Sequence, residues 1–266
     1  MSVYEDSNTK LTKQFDSGIA FGKKSNLWQI CNGEQHIIAI EAEPWRMVEA
    51  QHISSSRDLV DTLEEHDLLV VLLENTKPWV DKSKDYLIFT PFRYPPLQYG
   101  SRFGHRYEPS LWYGSLALPT AMAEVAYYRL QFFQDTEGDL EYIEIPMTAF
   151  QAFLQTSKGI DLTQAPFDAH QKAISNPHLY QDSQTLGSAM REAGIEACLY
   201  FSARTVELSK NIAVYTPNVF KKKKEGYIWN QQNWMCMANK HRIEFTRLSI
   251  VQKERISFSM DDYPKA

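Results

Sequence analysis

The stretch PFRYPPLQYGSRFGHRYEPSLWYGS, residues 91–115, is the part of this sequence that leaves the fewest options open. Pro and Gly recur through it, so neither a helical period nor a strand alternation can be sustained for most of its length. It is also dense in aromatic and basic side chains, unlike the Pro-, Gly- or Ser-rich composition of a spacer. No stretch of that spacer kind divides the chain anywhere. The 266 residues amount to one large domain or two small ones at roughly 150 residues per domain. The pattern predicts a single mixed α/β domain.

Around that segment the periodicities predict a strand at 36–41 and a long helix over 54–76, stopped by Lys77-Pro78 and buried along its Leu68 to Leu73 run. DYLIFT, 85–90, reads as a strand. Pro119 suits the first turn of a helix reaching about Phe133, because its missing N–H would be unpaired there anyway. Tyr142, Ile143 and Ile145 mark a short strand, and 151–181 is mixed, with irregular connections at Pro166 and Pro177. A helix over 183–192 ends at Gly194. IEACLYFS (195–202) and NIAVYTP (211–217) read as two buried strands, IWNQQNW and RIEFTRL as later, alternating ones.

Composition and motifs remove whole classes of function. Apolar residues at 43% and charged residues at 23% exclude disorder, collagen-like fibre and membrane spanning. The 28 Lys+Arg against 33 Asp+Glu leave a formal charge of -5, so nucleic acid or anionic membrane would need a local basic patch. Cys31, Cys198 and Cys236 are far apart, which fits a reducing cytosol and no cysteine metal site. The start lacks the charged-then-apolar pattern of a signal peptide. GxGxxG, GxxxxGK[ST], HExxH and GxSxG are all missing, which leaves dinucleotide redox, P-loop, zincin and hydrolase-elbow chemistry without support. The seven histidines are scattered.

What remains is a concentration between Arg93 and Glu124. Arg93, Arg102 and Arg106 lie among Tyr94, Tyr99, Phe103, Tyr107, Trp112 and Tyr113. Arginine holds phosphate bidentately and aromatic faces stack on planar rings, so the constellation reads as an anion or nucleotide site. Glu124 follows in the company of Ala121, Met122, Ala123, Val125 and Ala126. It is either functional or at the edge of a buried face.

GSRFGHRYEPSLWYGSLALPTAMAEVAYYR, followed by YFSARTVELSKNIAVYTP, resembles the RES-domain family, named for its Arg, Glu and Ser. WRMVEAQH (45–52) and TPFRYPP (90–96) are similar to pieces of the longer bacterial forms. The likeness spans about 40–250, implying an N-terminal extension (1–40), a RES domain (41–250) with a helical insertion at about 54–80, and a C-terminal tail (251–266). It implies a fold similar to ADP-ribosyltransferases, with a central mixed β-sheet flanked by helices. It also implies a cytoplasmic toxin of a type II toxin-antitoxin pair. The activity so implied is phosphorolysis of NAD+ to nicotinamide and ADP-ribose 1''-phosphate. NAD+ is then the substrate, inorganic phosphate the co-substrate and an Xre-like antitoxin the partner; no separate cofactor, metal, membrane or direct nucleic-acid contact is implied, and a homo-oligomer is left open.

Carried over by position, Arg102, Glu124 and Ser202 match the catalytic residues of the family. Tyr113 and Asn211 fall with its substrate-binding residues, and either Arg46 or Arg93 matches an earlier arginine, Arg46 being favoured because it too follows an aromatic residue. In that chemistry Glu124 faces an oxocarbenium-like transition state of the glycosidic kind, Tyr113 stacks on nicotinamide, the arginines hold pyrophosphate or phosphate, and Ser202 orients Glu124 or the ribose. The same residues would serve an ADP-ribosyltransferase or an NAD+ glycohydrolase. A non-catalytic module contacting nucleic acid or protein through Lys221 to Lys224 is the reading from a different class; as a structural feature those lysines are a solvated turn.

Overall fold

The computed structural model describes residues 26–50, 60–76, 84–94, 96–138, 141–223, 226–249 and 254–264. A single turn, α1 (Leu27–Ile30), is capped by the Asn26 side chain accepting from the Trp28 amide, and leads into β1 (Ile38–Ala42) and β2 (Trp45–Glu49). Two helices follow, α2 (Leu63–Thr76) and α3 (Tyr86–Arg93), then β3 (Trp112–Ser115) and the long α4 (Leu118–Asp135). β4 (Ile143–Ala152) and β5 (Leu154–Asp161) come next, then α5 (Gln171–Ile174), α6 (Gln181–Glu192), β6 (Ala197–Phe201) and β7 (Lys210–Val214). β8 (Ile228–Ala238), β9 (Ile243–Arg247) and β10 (Arg255–Phe258) complete the described strands.

The ten strands form one mixed sheet in the order β1-β5-β6-β7-β3-β2-β4-β8-β9-β10. Only β5 and β6 run parallel, and these are the neighbours joined by a long crossover through α5 and α6, as parallel pairing requires. α4 packs over the β4-β8-β9 half, where Met122, Leu130, Phe133, Met147, Trp234 and Phe245 form one core cluster. α1 and α6 cover the β5-β6-β7 half, where Trp28, Phe103, Ile160, Leu186 and Met190 form another. Each such buried side chain contributes roughly 1.5–3 kcal/mol of transfer free energy.

The sheet is weakly joined at one place. β3 pairs along its length with β7, from Trp112 opposite Val214 to Ser115 opposite Asn211, and β2 does the same with β4. β2 and β3 meet only at Trp45 opposite Ser115. Beyond that pair the two halves diverge, and α4 packs against both β2 and β3.

Several expectations need correction. Residues 86–93 form a helix, not a strand: the Asp85 carboxylate accepts from the Leu87 amide at 2.9 Å and its carbonyl takes the Ile88 and Phe89 amides. A short apolar run carries no period strong enough to tell the two apart, so the cap decides. The helix expected from Ser54 begins at Leu63; Thr62 and Glu65 cap it reciprocally, and the serine cluster, like Lys77-Pro78, lies outside the described residues. The expected burial of its apolar run is overturned, since Leu68, Val71 and Leu72 are more than half exposed. An apolar run permits burial, but only a docked neighbour produces it. β5 was hidden because its outward residues Gln155, Ser157 and Lys158 are polar and exposed. The tail contributes β10, paired with β9, and the described part of the N-terminal extension puts Trp28 and Cys31 into the core. Among the described residues no helix is long and apolar enough to cross a membrane.

Candidate active site

The irregular segment is tied to α6 by side-chain hydrogen bonds. Gln184 donates from Nε2 to the carbonyls of Tyr99 (2.9 Å) and Ser101 (3.0 Å). Ser188 donates to Glu108 (2.6 Å) and Arg191 to the Pro109 carbonyl (2.8 Å). These three residues lie at i, i+4 and i+7, one face of the helix. Between them Gly187 lets the backbone approach: a Cβ there would sit 2.1 Å from the Phe103 carbonyl oxygen. The Tyr113 hydroxyl adds two ties, accepting from the Phe103 amide at 3.1 Å and pairing with Ser101 Oγ at 2.9 Å. Burial pushes that phenol up to about 12, so it stays neutral and its ring is the part offered to a ligand.

Under this loop, where β2 and β3 diverge, lies a cavity of about 570 Å³. Arg46 of β2, Tyr113 and Ser115 of β3, Glu124 of α4 and Asn211 of β7 all line it, as does Arg102 from the loop. The fold thus brings together six residues from four elements and a loop. Ser202 stands behind Glu124, its Oγ donating to Glu124 Oε1 at 2.7 Å. Asn211 Nδ2 donates to the same oxygen at 2.6 Å. Ser115 Oγ in turn donates to Asn211 Oδ1 at 2.7 Å, which fixes the direction of the amide. Among the described residues no hydrogen bond reaches Glu124 Oε2. One oxygen is anchored by charge-assisted bonds and the other is left for a ligand.

The arginines divide sharply. Arg46 is half-buried with its guanidinium 5.2 Å from the Trp112 ring centroid; its Nη1 is sealed from solvent with no hydrogen-bond partner among the described residues. Burial lowers its pKa to about 10. A smaller cavity of about 270 Å³, lined by Val48, Tyr86 and Leu87, also ends on Arg46. Arg102 is buried and donates through Nη1 to the carbonyls of Ile174 (3.2 Å) and Asn176 (2.9 Å). Arg93, at the end of α3, has its guanidinium 5.8 Å from the Phe89 ring and lines neither cavity. Arg106 turns to its neighbour Tyr107. Among the described residues no group of three or more His, Cys, Asp or Glu gathers to hold a metal.

Sequence reasoning missed Ser115, Tyr128 and Tyr180. Tyr128 was readable, standing one helical turn beyond Glu124. Ser115 needed the β3–β7 register and Tyr180 the tertiary fold.

No curated protein matches the sequence. A chain of the M. tuberculosis MbcT–MbcA toxin–antitoxin complex is similar at 14% identity over 74% of this chain and 88% of that one, with a TM-score of 0.44, a likeness too loose to carry an argument. The model of the RES domain matches residues 77–236, which hold Arg102, Tyr113, Glu124, Ser202 and Asn211. Arg46 reaches the same cavity from outside that span. On that match, which takes in more than half of the sequence, the chain belongs to the RES-domain family.

Proposed function

We propose that the cleft binds NAD+ and transfers its ADP-ribosyl group to inorganic phosphate, in a toxin restrained by a cognate Xre-like antitoxin. The observation that carries this reading is the Glu124 carboxylate, anchored through Oε1 by Ser202 and Asn211 and, among the described residues, unpartnered at Oε2, in the same cavity as an arginine whose buried Nη1 has no hydrogen-bond partner among those residues. One cavity then offers a negative group for a developing ribosyl cation and a positive group for phosphate oxygens. A dinucleotide with a pyridinium at one end and a pyrophosphate in the middle fits both, and the RES family's activity on NAD+ supports the choice.

In the proposed reaction the bond from ribose C1'' to the nicotinamide nitrogen breaks and its electron pair stays with nicotinamide, neutralising the pyridinium. No general acid is needed. A phosphate oxygen forms the new bond to C1'', giving ADP-ribose 1''-phosphate. Glu124 Oε2 faces the positive charge that peaks between the two events, an electrostatic stabilisation typically worth about 2.7–4 kcal/mol. Arg46 takes up phosphate oxygens, from pyrophosphate or from the attacking phosphate. Tyr113 offers its ring to nicotinamide.

The lysine run gives little to the competing interaction-module reading. Lys223 pairs with Glu43 and lies over the Trp229 ring, and Lys222 lies over Tyr227, while Lys224 is outside the described residues. Product analysis by mass spectrometry with and without phosphate tests the proposal. ADP-ribose 1''-phosphate appearing only with phosphate supports it; free ADP-ribose at an unchanged rate makes the protein a glycohydrolase, and ADP-ribose on a macromolecule makes it a transferase. Co-purification with the product of an adjacent gene tests the antitoxin.

A further inference from the structure

Two buried arginines converge on one short segment, 174–180, between α5 and α6. Arg102 donates to the carbonyls of Ile174 and Asn176, and its guanidinium lies 4.6 Å from the Tyr180 ring centroid. Arg204, only 3% exposed, donates through Nη2 to the Pro177 carbonyl at 2.8 Å and to the Tyr180 hydroxyl at 3.1 Å. Burying two guanidinium groups is costly unless they are well paired. Here both bear on Tyr180, whose ring and hydroxyl are each held by a different arginine; Arg204 also lies 3.5 Å from the Tyr127 ring centroid, and its Nε is buried without a hydrogen-bond partner among the described residues.

The Tyr180 hydroxyl lies 2.8 Å from that of Tyr128. Tyr128 sits on α4 one turn after Glu124, so the two share a face, and Tyr128, Tyr180 and Glu124 all line the 570 Å³ cavity. Arg204 ties the ends of this arrangement together: its amide donates to Ser202 Oγ at 3.0 Å, the hydroxyl that donates to Glu124.

Counting hydrogens shows what is left over. A guanidinium only donates, so Tyr180 Oη accepts from Arg204. The bond between the two phenols uses one O–H, whichever tyrosine supplies it. The second O–H has no acceptor among the described residues, and burial pushes the Tyr128 phenol well above its ordinary value, so that it stays protonated at neutral pH. We propose that Tyr128 and Tyr180 act as a single hydrogen-bond donor to the ligand, with Arg204 as the positioning residue. The group recognised is an acceptor oxygen; on the NAD+ reading, on which this inference rests, it is a hydroxyl of the ribose whose C1'' faces Glu124.

The test is kinetic, with Tyr128→Phe, Tyr180→Phe and the double variant in the full-length protein, following initial NAD+ loss. Phenylalanine keeps the ring that stacks on arginine and removes only the O–H. Each single substitution leaves one O–H, released from the phenol–phenol bond but no longer aimed by its neighbour, and is expected to raise KM about 2-fold; the double variant removes the last donor and should raise KM about 10-fold, more than the product of the singles. Arg204→Gln should raise KM in the wild-type background and leave it nearly unchanged in the Tyr180→Phe background, whereas a purely structural role would impair both alike. Thermal melting of every variant separates misfolding from lost contact. Wild-type kinetics in the Phe variants, or a double effect equal to the product of the singles, overturns the inference and leaves the NAD+ reading standing. A wild-type protein that neither binds nor consumes NAD+ overturns both.

Discussion

At the Glu124 end of the cleft the protein supplies its own partners: Ser202 and Asn211 hold one carboxylate oxygen, and Ser115 holds Asn211. At the Arg46 end it does not, and a guanidinium nitrogen is buried beside the Trp112 ring with no hydrogen-bond partner among the described residues. The first arrangement uses hydrogen bonds to keep a carboxylate aimed, which on the proposed reading is how preorganised electrostatics lowers a barrier. The second leaves a desolvated N–H without a hydrogen bond among the described residues, at a cost on the order of 1–3 kcal/mol, which a bound anion would return. One end is finished by folding; the other, on the proposed reading, by the ligand.

Four substitutions would break or sharpen that contrast. Glu124→Gln should abolish most NAD+ loss, on the order of 10²–10³ in rate, with the melting temperature near that of the wild type, since glutamine can still accept from Ser202 and Asn211; turnover retained in this variant would remove Glu124 from the chemistry. Arg46→Gln should raise KM about 10- to 100-fold, the range of a charge-assisted contact, yet make the ligand-free protein more stable by about 1 kcal/mol. The sign follows from linkage: burial lowers the folded pKa of Arg46 to about 10, so the charged form is penalised in the folded state at every pH below that value. The stability gap to the variant should therefore be full below pH 10 and narrow above it. Calorimetry at several pH values measures it, and a variant less stable than the wild type would mean that Arg46 is already compensated. The smallest effect belongs to the outer contacts. Asn211→Ala should lower kcat about tenfold and Ser115→Ala about threefold, with Ser115→Ala adding almost nothing once Asn211 is gone, because the serine acts only through that amide.

The same contrast separates what could be read from the linear sequence. Glu124 was legible as a carboxylate in small, apolar company, and the loop as an aromatic and basic cluster. The anchoring of that loop was present too, in Gln184, Ser188 and Arg191 at one-face spacing with Gly187 between, but nothing local says what such a face grips. DYLIFT read as a strand because six apolar-rich residues carry no decisive period, and the Asp85 cap settled it as helix. The Leu68 to Leu73 run read as buried because hydrophobicity reports a capacity, not a neighbour. Arg46 and Arg93 each follow an aromatic residue or precede one, so residue type alone could not choose the one at the cavity.

By itself the sequence determined the residue types of the site, the α/β class and the family, because those depend on local pattern and motif spacing. Only the tertiary structure decided that β2 and β3 part after the single pair of Trp45 and Ser115. It also decided which of Arg46 and Arg93 reaches the cavity beside Glu124 and which tyrosine meets Tyr128. Burial, strand register and unpaired donors are relations between distant segments, and no window of the chain contains them.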